Sequence, residues 1–99
     1  MNPSDGPSSR KARATFTLIN QLGLHARASA QLVNLAGRYS SEITIRRNGE
    51  AANCKSIMGV LMLAAPCGTS IEVEAYGPDS DEAVQKIGEL IANRFGEGR

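Results

Sequence analysis

Asn48-Gly49 separates two short runs, Glu42 to Arg47 (EITIRR) and Glu50 to Asn53 (EAAN). A two-residue hairpin turn holds both of its central residues at positive φ, and Asn-Gly is among the pairs that tolerate this best. The dipeptide therefore predicts an antiparallel hairpin, with Ile43 and Ile45 of its first strand on one face. Two other stretches alternate in the same way. Thr15-Phe16-Thr17-Leu18-Ile19 puts Phe16 and Leu18 on one side and threonines on the other, while Ser70 to Tyr76 sets Ile71, Val73 and Ala75 against Glu72 and Glu74. Strands that alternate this cleanly have one dry face and one wet face.

Between the strands the period becomes helical. After Gly23, the residues Ser29, Leu32, Val33 and Ala36 fall at helical spacing, and Gly37 marks a stop. Ser56 to Leu63 (SIMGVLML) is apolar without strand alternation, which predicts a short helix broken by Pro66-Cys67-Gly68. Gly77-Pro78-Asp79-Ser80 reads as a turn with a capping residue. Asp81 and Glu82 follow in the first turn of a last helix, where the dipole favours acids. Its inner stripe is Ala83, Ile87, Leu90, Ile91 and Arg94. The order is β-α-β-β-α-β-α: an α+β, open-faced two-layer sandwich in which three helices cover one face of a four-stranded antiparallel sheet.

The 99 residues suffice for one domain. Residues 1–14, rich in Pro, Ser, Gly and charge, are expected to be a disordered tail, residues 15–95 the domain, and residues 96–99 a flexible end. A net charge of +1, with eleven basic residues scattered among acids, gives no nucleic-acid footprint. No apolar run is long enough to span a membrane, and no secretory leader is evident, so a cytoplasmic monomer is expected. Cys54 and Cys67 fit reduced, buried thiols, although spacing alone leaves a disulfide open.

The only histidine, His25, stands in Leu22-Gly23-Leu24-His25-Ala26-Arg27-Ala28-Ser29, at the threshold of the first helix. A helix beginning near Ala26 has backbone N–H groups without intrahelical partners, which with the dipole make an anion site. Arg27 adds a planar guanidinium suited to phosphate oxygens. A neutral imidazole beside such a cradle is what reversible histidine phosphorylation requires. On this chemistry alone a surface histidine or a simple cap fits as well. A metal site lacks a second histidine, nothing resembles a nucleophile elbow, and no cofactor is implied.

The segments GLHARASAQLV and SSEITIRRNGEAANCKSIMGVLML resemble the histidine-containing phosphocarrier (HPr) family of the bacterial phosphoenolpyruvate-dependent phosphotransferase system. The likeness runs from about Ala14 to Phe95, and the expected element order agrees with that family's fold. It implies that His25 accepts a phosphoryl group from enzyme I and passes it to enzyme II A-type proteins, assisted by Arg27. It also implies a regulatory site at Ser56 for an HPr kinase/phosphorylase, although Ser56 equally suits a plain helix N-cap. The family commonly has proline where this chain has Ala28, which leaves open a nitrogen-related regulatory branch acting by phosphorylation-dependent protein binding. A small-ligand-binding domain of the split-βαβ kind is a further alternative. If Val60 and Leu63 face the core, then Ile57, Met58 and Leu61 point outward and, with Leu24 and Ala28 near the histidine, form the expected docking surface.

Overall fold

The computed structural model of the chain describes residues 10–99. The strands β1 (Lys11–Thr17), β2 (Glu42–Arg47), β3 (Glu50–Asn53) and β4 (Ser70–Tyr76) form one antiparallel sheet in the order β1-β4-β2-β3. The helices are α1 (Ala26–Ala36), α2 (Ile57–Met62) and α3 (Ser80–Ala92), and a 3-10 turn, Arg94–Gly96, follows. This is the β-α-β-β-α-β-α sandwich that the alternation predicted. The strand alternation sets the layers: Ile43 and Ile45 of β2 stand opposite Ala75 and Val73 of β4, and Phe16 of β1 stands opposite Ile71. These side chains line the dry face and join Leu32, Val60, Ile87 and Phe95 in one core. The hairpin turn has the geometry its sequence predicts, with Asn48 at φ 51° and Gly49 at φ 83°.

The other face carries an ionic ladder centred on β4. Glu74 pairs with Lys11 at 3.3 Å and Arg46 at 3.6 Å, while Glu72 pairs with Arg46 at 3.1 Å. The Lys11 hydrogen bond, aided by the Arg46 and Arg13 charges, holds the Glu74 carboxyl below the usual carboxylate range.

Several local expectations are corrected. The tail was expected to reach residue 14, but β1 already begins at Lys11; residues 1–9 of that expected tail lie outside the described residues. Lys11-Ala12-Arg13-Ala14 alternates, but alanine is too small to announce an inward face. Asp79 stands at the start of α3 but makes no side-chain cap bond. Its carboxylate instead accepts hydrogen bonds from the Ser40 N–H at 2.8 Å, the Ser41 N–H at 2.9 Å and the Ser41 hydroxyl at 2.6 Å. The turn before α3 is thereby fastened to the loop before β2. Gly37 ends α1 in a right-handed conformation. In α3, Val84 joins the buried residues, Leu90 is half-buried and Arg94 lies beyond the helix, exposed. Both cysteines are free: Cys54 is buried, and burial pushes its thiol up to about 12, while Cys67 is exposed.

Candidate functional site

His25 is the N-cap of α1, with an extended backbone (φ −75°, ψ −179°). The loop ahead of it is positioned by a close approach at Gly23, which has φ +62°. A Cβ there would lie 2.4 Å from the Ala65 carbonyl oxygen. The Leu24 N–H donates to that same carbonyl at 2.9 Å. The buried Asn20 side chain donates to the Gly23 carbonyl at 2.8 Å, and the Ser29 hydroxyl donates to the Leu24 carbonyl at 3.1 Å. The first intrahelical bond runs from the Ser29 N–H to the His25 carbonyl at 2.8 Å.

These contacts fix the imidazole, whose side chain is 26 % exposed. Its Nδ1 accepts the Arg27 backbone N–H at 3.3 Å, and its Nε2 lies 2.5 Å from Glu97 Oε2. A nitrogen that accepts carries no proton, so this hydrogen-bond pattern assigns the proton to Nε2 and turns the Nδ1 lone pair to the helix start. The 3.3 Å bond is long, hence weak and readily exchanged. Arg27 is exposed, and its guanidinium makes no ion pair among the described residues. His25, Arg27, Gln21, Leu22, Glu97 and Arg99 together line an open pocket.

Glu97 escaped the sequence reading, which expected residues 96–99 to be a flexible end. The structure ties this segment down. Asn20 donates to Glu97 Oε1 at 3.2 Å, and the Gln21 N–H donates to the Arg99 carbonyl at 3.0 Å. Phe95 is wholly buried and anchors the segment. Arg94, Phe95 and Gly96 all have positive φ (54°, 55° and 75°), so the chain turns sharply as it leaves α3. The hydrogen bond from His25 does most to hold the Glu97 carboxyl below the usual carboxylate range. Partial burial opposes it, and Asn20 and the Arg27 charge add to it. The one advance signal was a lone aromatic followed by glycine just past a helix.

The expected docking residues divide. Leu24 and Ala28 are core residues, 4 % and 0 % exposed, so neither offers a side chain to a partner. Ile57 and Met58 are exposed as expected, but Leu61 is half-buried and Met62, at 75 %, takes the outward place. The reason is that α2 packs against α1 as well as beside the sheet, which turns its buried arc toward Leu61. Leu22 and Ile19, near His25 in sequence, are exposed apolar residues that the sequence reading passed over. Ser56 is the N-cap of α2, its hydroxyl accepting the Gly59 N–H at 3.2 Å. Among the described residues no cluster of three or more His, Cys, Asp or Glu could hold a metal, and no helix is long and apolar enough to cross a membrane.

Fold and site together define a small α+β sandwich that presents one helix-capping histidine. Residues 12–93 match the family model described as the PTS HPr component phosphorylation site. Phosphocarrier protein HPr of Cupriavidus necator is 56 % identical over 82 residues, which cover 83 % of this chain and 92 % of that one. The protein of the same name from Pseudomonas aeruginosa is 51 % identical over 84 residues, covering 84 % of this chain and 93 % of that one. The crystal structure of HPr-C-His from Thermoanaerobacter tengcongensis superposes with a TM-score of 0.86 at 35 % identity, covering 89 % of this chain and 99 % of that one. The chain belongs to the HPr family of phosphocarrier proteins of the phosphotransferase system. Such proteins carry phosphoryl groups and do not turn over a substrate of their own.

Proposed function

We propose that His25 accepts a phosphoryl group on Nδ1 from phosphoenolpyruvate-charged enzyme I and passes it to enzyme II A-type acceptors in the cytoplasm. The observation that carries this reading is that Nδ1 faces the start of α1, where it accepts the Arg27 N–H at 3.3 Å. When phosphorus takes that lone pair, the displaced N–H is free to donate to a phosphoryl oxygen at the positive end of the dipole. The experiment is incubation with enzyme I and phosphoenolpyruvate, followed by mapping of the acid-labile phosphate, which should lie on His25 alone.

Arg27 reaches the same oxygens from the exposed side. Arg27→Ala should slow phosphotransfer by about ten- to a hundredfold, the range of a charge-assisted hydrogen bond, without loss of fold. Stopped-flow or quench-flow transfer from phosphorylated enzyme I measures it. An unchanged rate would leave the helix start as the whole cradle.

Ser56 is the proposed regulatory site, for an ATP-dependent HPr kinase/phosphorylase. A phosphate there would sit at the favourable end of α2, beside exposed Ile57 and Met58. The proposed docking surface is Ile57, Met58 and Met62 with Leu22 at the rim of the histidine pocket, and a charge of about −1.5 to −2 at its edge resists desolvation. Ser56→Asp should therefore accept phosphate at His25 more slowly than wild type or Ser56→Ala. Equal rates in all three would leave Ser56 a helix cap only. A regulatory branch of the family, acting by binding, is distinguished by intact partner binding without transfer.

A further inference from the structure

His25 Nε2 faces a carboxylate from the far end of the chain, and that carboxylate is built in. Phe95, buried to 0 % exposure, and three successive positive-φ residues swing Glu97 back to the helix start. Asn20, itself fully buried, grips Glu97 Oε1 at 3.2 Å and leaves Oε2 for the ring at 2.5 Å. The Arg99 carbonyl accepts the Gln21 N–H, closing the segment over the same loop. The burial of Phe95, the Asn20 bond and the Gln21–Arg99 bond thus hold one carboxylate against a ring nitrogen that takes no phosphoryl group in the proposed reaction.

We propose that Glu97 is a positioning residue for phosphotransfer: its carboxylate keeps the proton on Nε2, presents Nδ1 to the donor, and offsets the positive charge that the ring takes on when Nδ1 is phosphorylated. The proposal rests on the phosphocarrier reading above. In the forward step the Nδ1 lone pair forms an N–P bond while the bond from phosphorus to the donor breaks, its electron pair returning to the donor. Nε2 keeps its proton throughout, so the ring becomes cationic 2.5 Å from a carboxylate oxygen. On transfer to the acceptor the N–P pair returns to Nδ1 and the ring is neutral again. No proton has to move in either direction. The carboxylate contributes by favouring the charged, phosphorylated state over the neutral one.

Two variants separate the hydrogen bond from the charge. Glu97→Gln can keep an acceptor at Nε2 but removes the charge; Glu97→Ala removes both. The test uses the full chain with enzyme I and phosphoenolpyruvate, and it measures the equilibrium of phosphoryl exchange with enzyme I together with the His25 ring resonances by 15N-resolved NMR. Wild type should show a downfield, slowly exchanging Nε2 proton, which Glu97→Ala loses. Both variants should shift the exchange equilibrium toward unphosphorylated protein by about tenfold, the order expected for a hydrogen bond to a charged group. A structural role alone would leave that equilibrium in place once folding is shown to be intact. Wild-type exchange in both variants overturns the proposal and leaves the phosphocarrier reading standing. Wild-type protein that takes no phosphoryl group on His25 overturns both.

Discussion

His25→Ala should fold as the parent chain does and take up no acid-labile phosphate from enzyme I. The loss should be complete, because the chain contains no second imidazole. The fold should survive, because the ring is a partly exposed cap and not part of the core. Removing a cap costs about 0.5–2 kcal/mol, a fraction of a domain stability of about 5–15 kcal/mol. Circular dichroism and a denaturant titration check the fold, and radiolabelled phosphoenolpyruvate with enzyme I checks the chemistry. Acid-labile phosphate on the variant would mean that the acceptor lies elsewhere.

Phe95→Ala should have the opposite profile, a large loss of stability from a residue outside the phosphate site. Its side chain is the largest of the fully buried ones, and truncating a buried phenylalanine typically costs about 3–5 kcal/mol. For a domain of this size each kcal/mol lowers Tm by about 4–8 °C, so the transition should move by well over ten degrees. Thermal and urea unfolding measure it. A loss below about 1 kcal/mol would show that the segment after α3 is not anchored by this ring. Phosphotransfer gives a second readout: with the anchor gone, Glu97 is no longer delivered to His25, and Phe95→Ala should transfer as Glu97→Ala does at temperatures where both remain folded.

Those two residues also mark what the amino-acid sequence made legible and what it did not. The hairpin at Asn48-Gly49, the alternation of Ser70 to Tyr76 and the helical spacing of Ser29, Leu32 and Ala36 are local signals, each carried by neighbours in the chain. They sufficed for the sandwich and for His25 at the start of a helix. Glu97 reaches His25 across 72 residues through an anchor with no period and a turn made of three left-handed residues, so no local pattern could announce it. Lys11 to Ala14 was missed for a different reason: its inward residues are alanines, and the burial of Ala12 and Ala14 depends on the helices laid over them. Leu24 and Ala28 neighbour the functional histidine in sequence, yet the Leu24 N–H is tied to the Ala65 carbonyl, Ala28 lies on the buried stripe of α1, and both are core residues. Nearness to a site in sequence does not predict exposure.

The strand order has a consequence for synthesis. β4 is bordered on both sides, by β1 and β2, yet it is the last strand in the chain. Of the three pairings, only β2 with β3 joins neighbours; β1 finds its register against β4, with Lys11 opposite Tyr76. A chain emerging from the ribosome amino end first can close its hairpin early, but Phe16, Ile43 and Ile45 have no central strand to meet until Tyr76 is out. Assembly of the sheet is then one late, non-local event, of the kind that slows folding and leaves apolar strands open to chaperones meanwhile. His25 is translated in the first third of the chain, and its ring gains its carboxylate partner only when Glu97 arrives, after every strand has been synthesised.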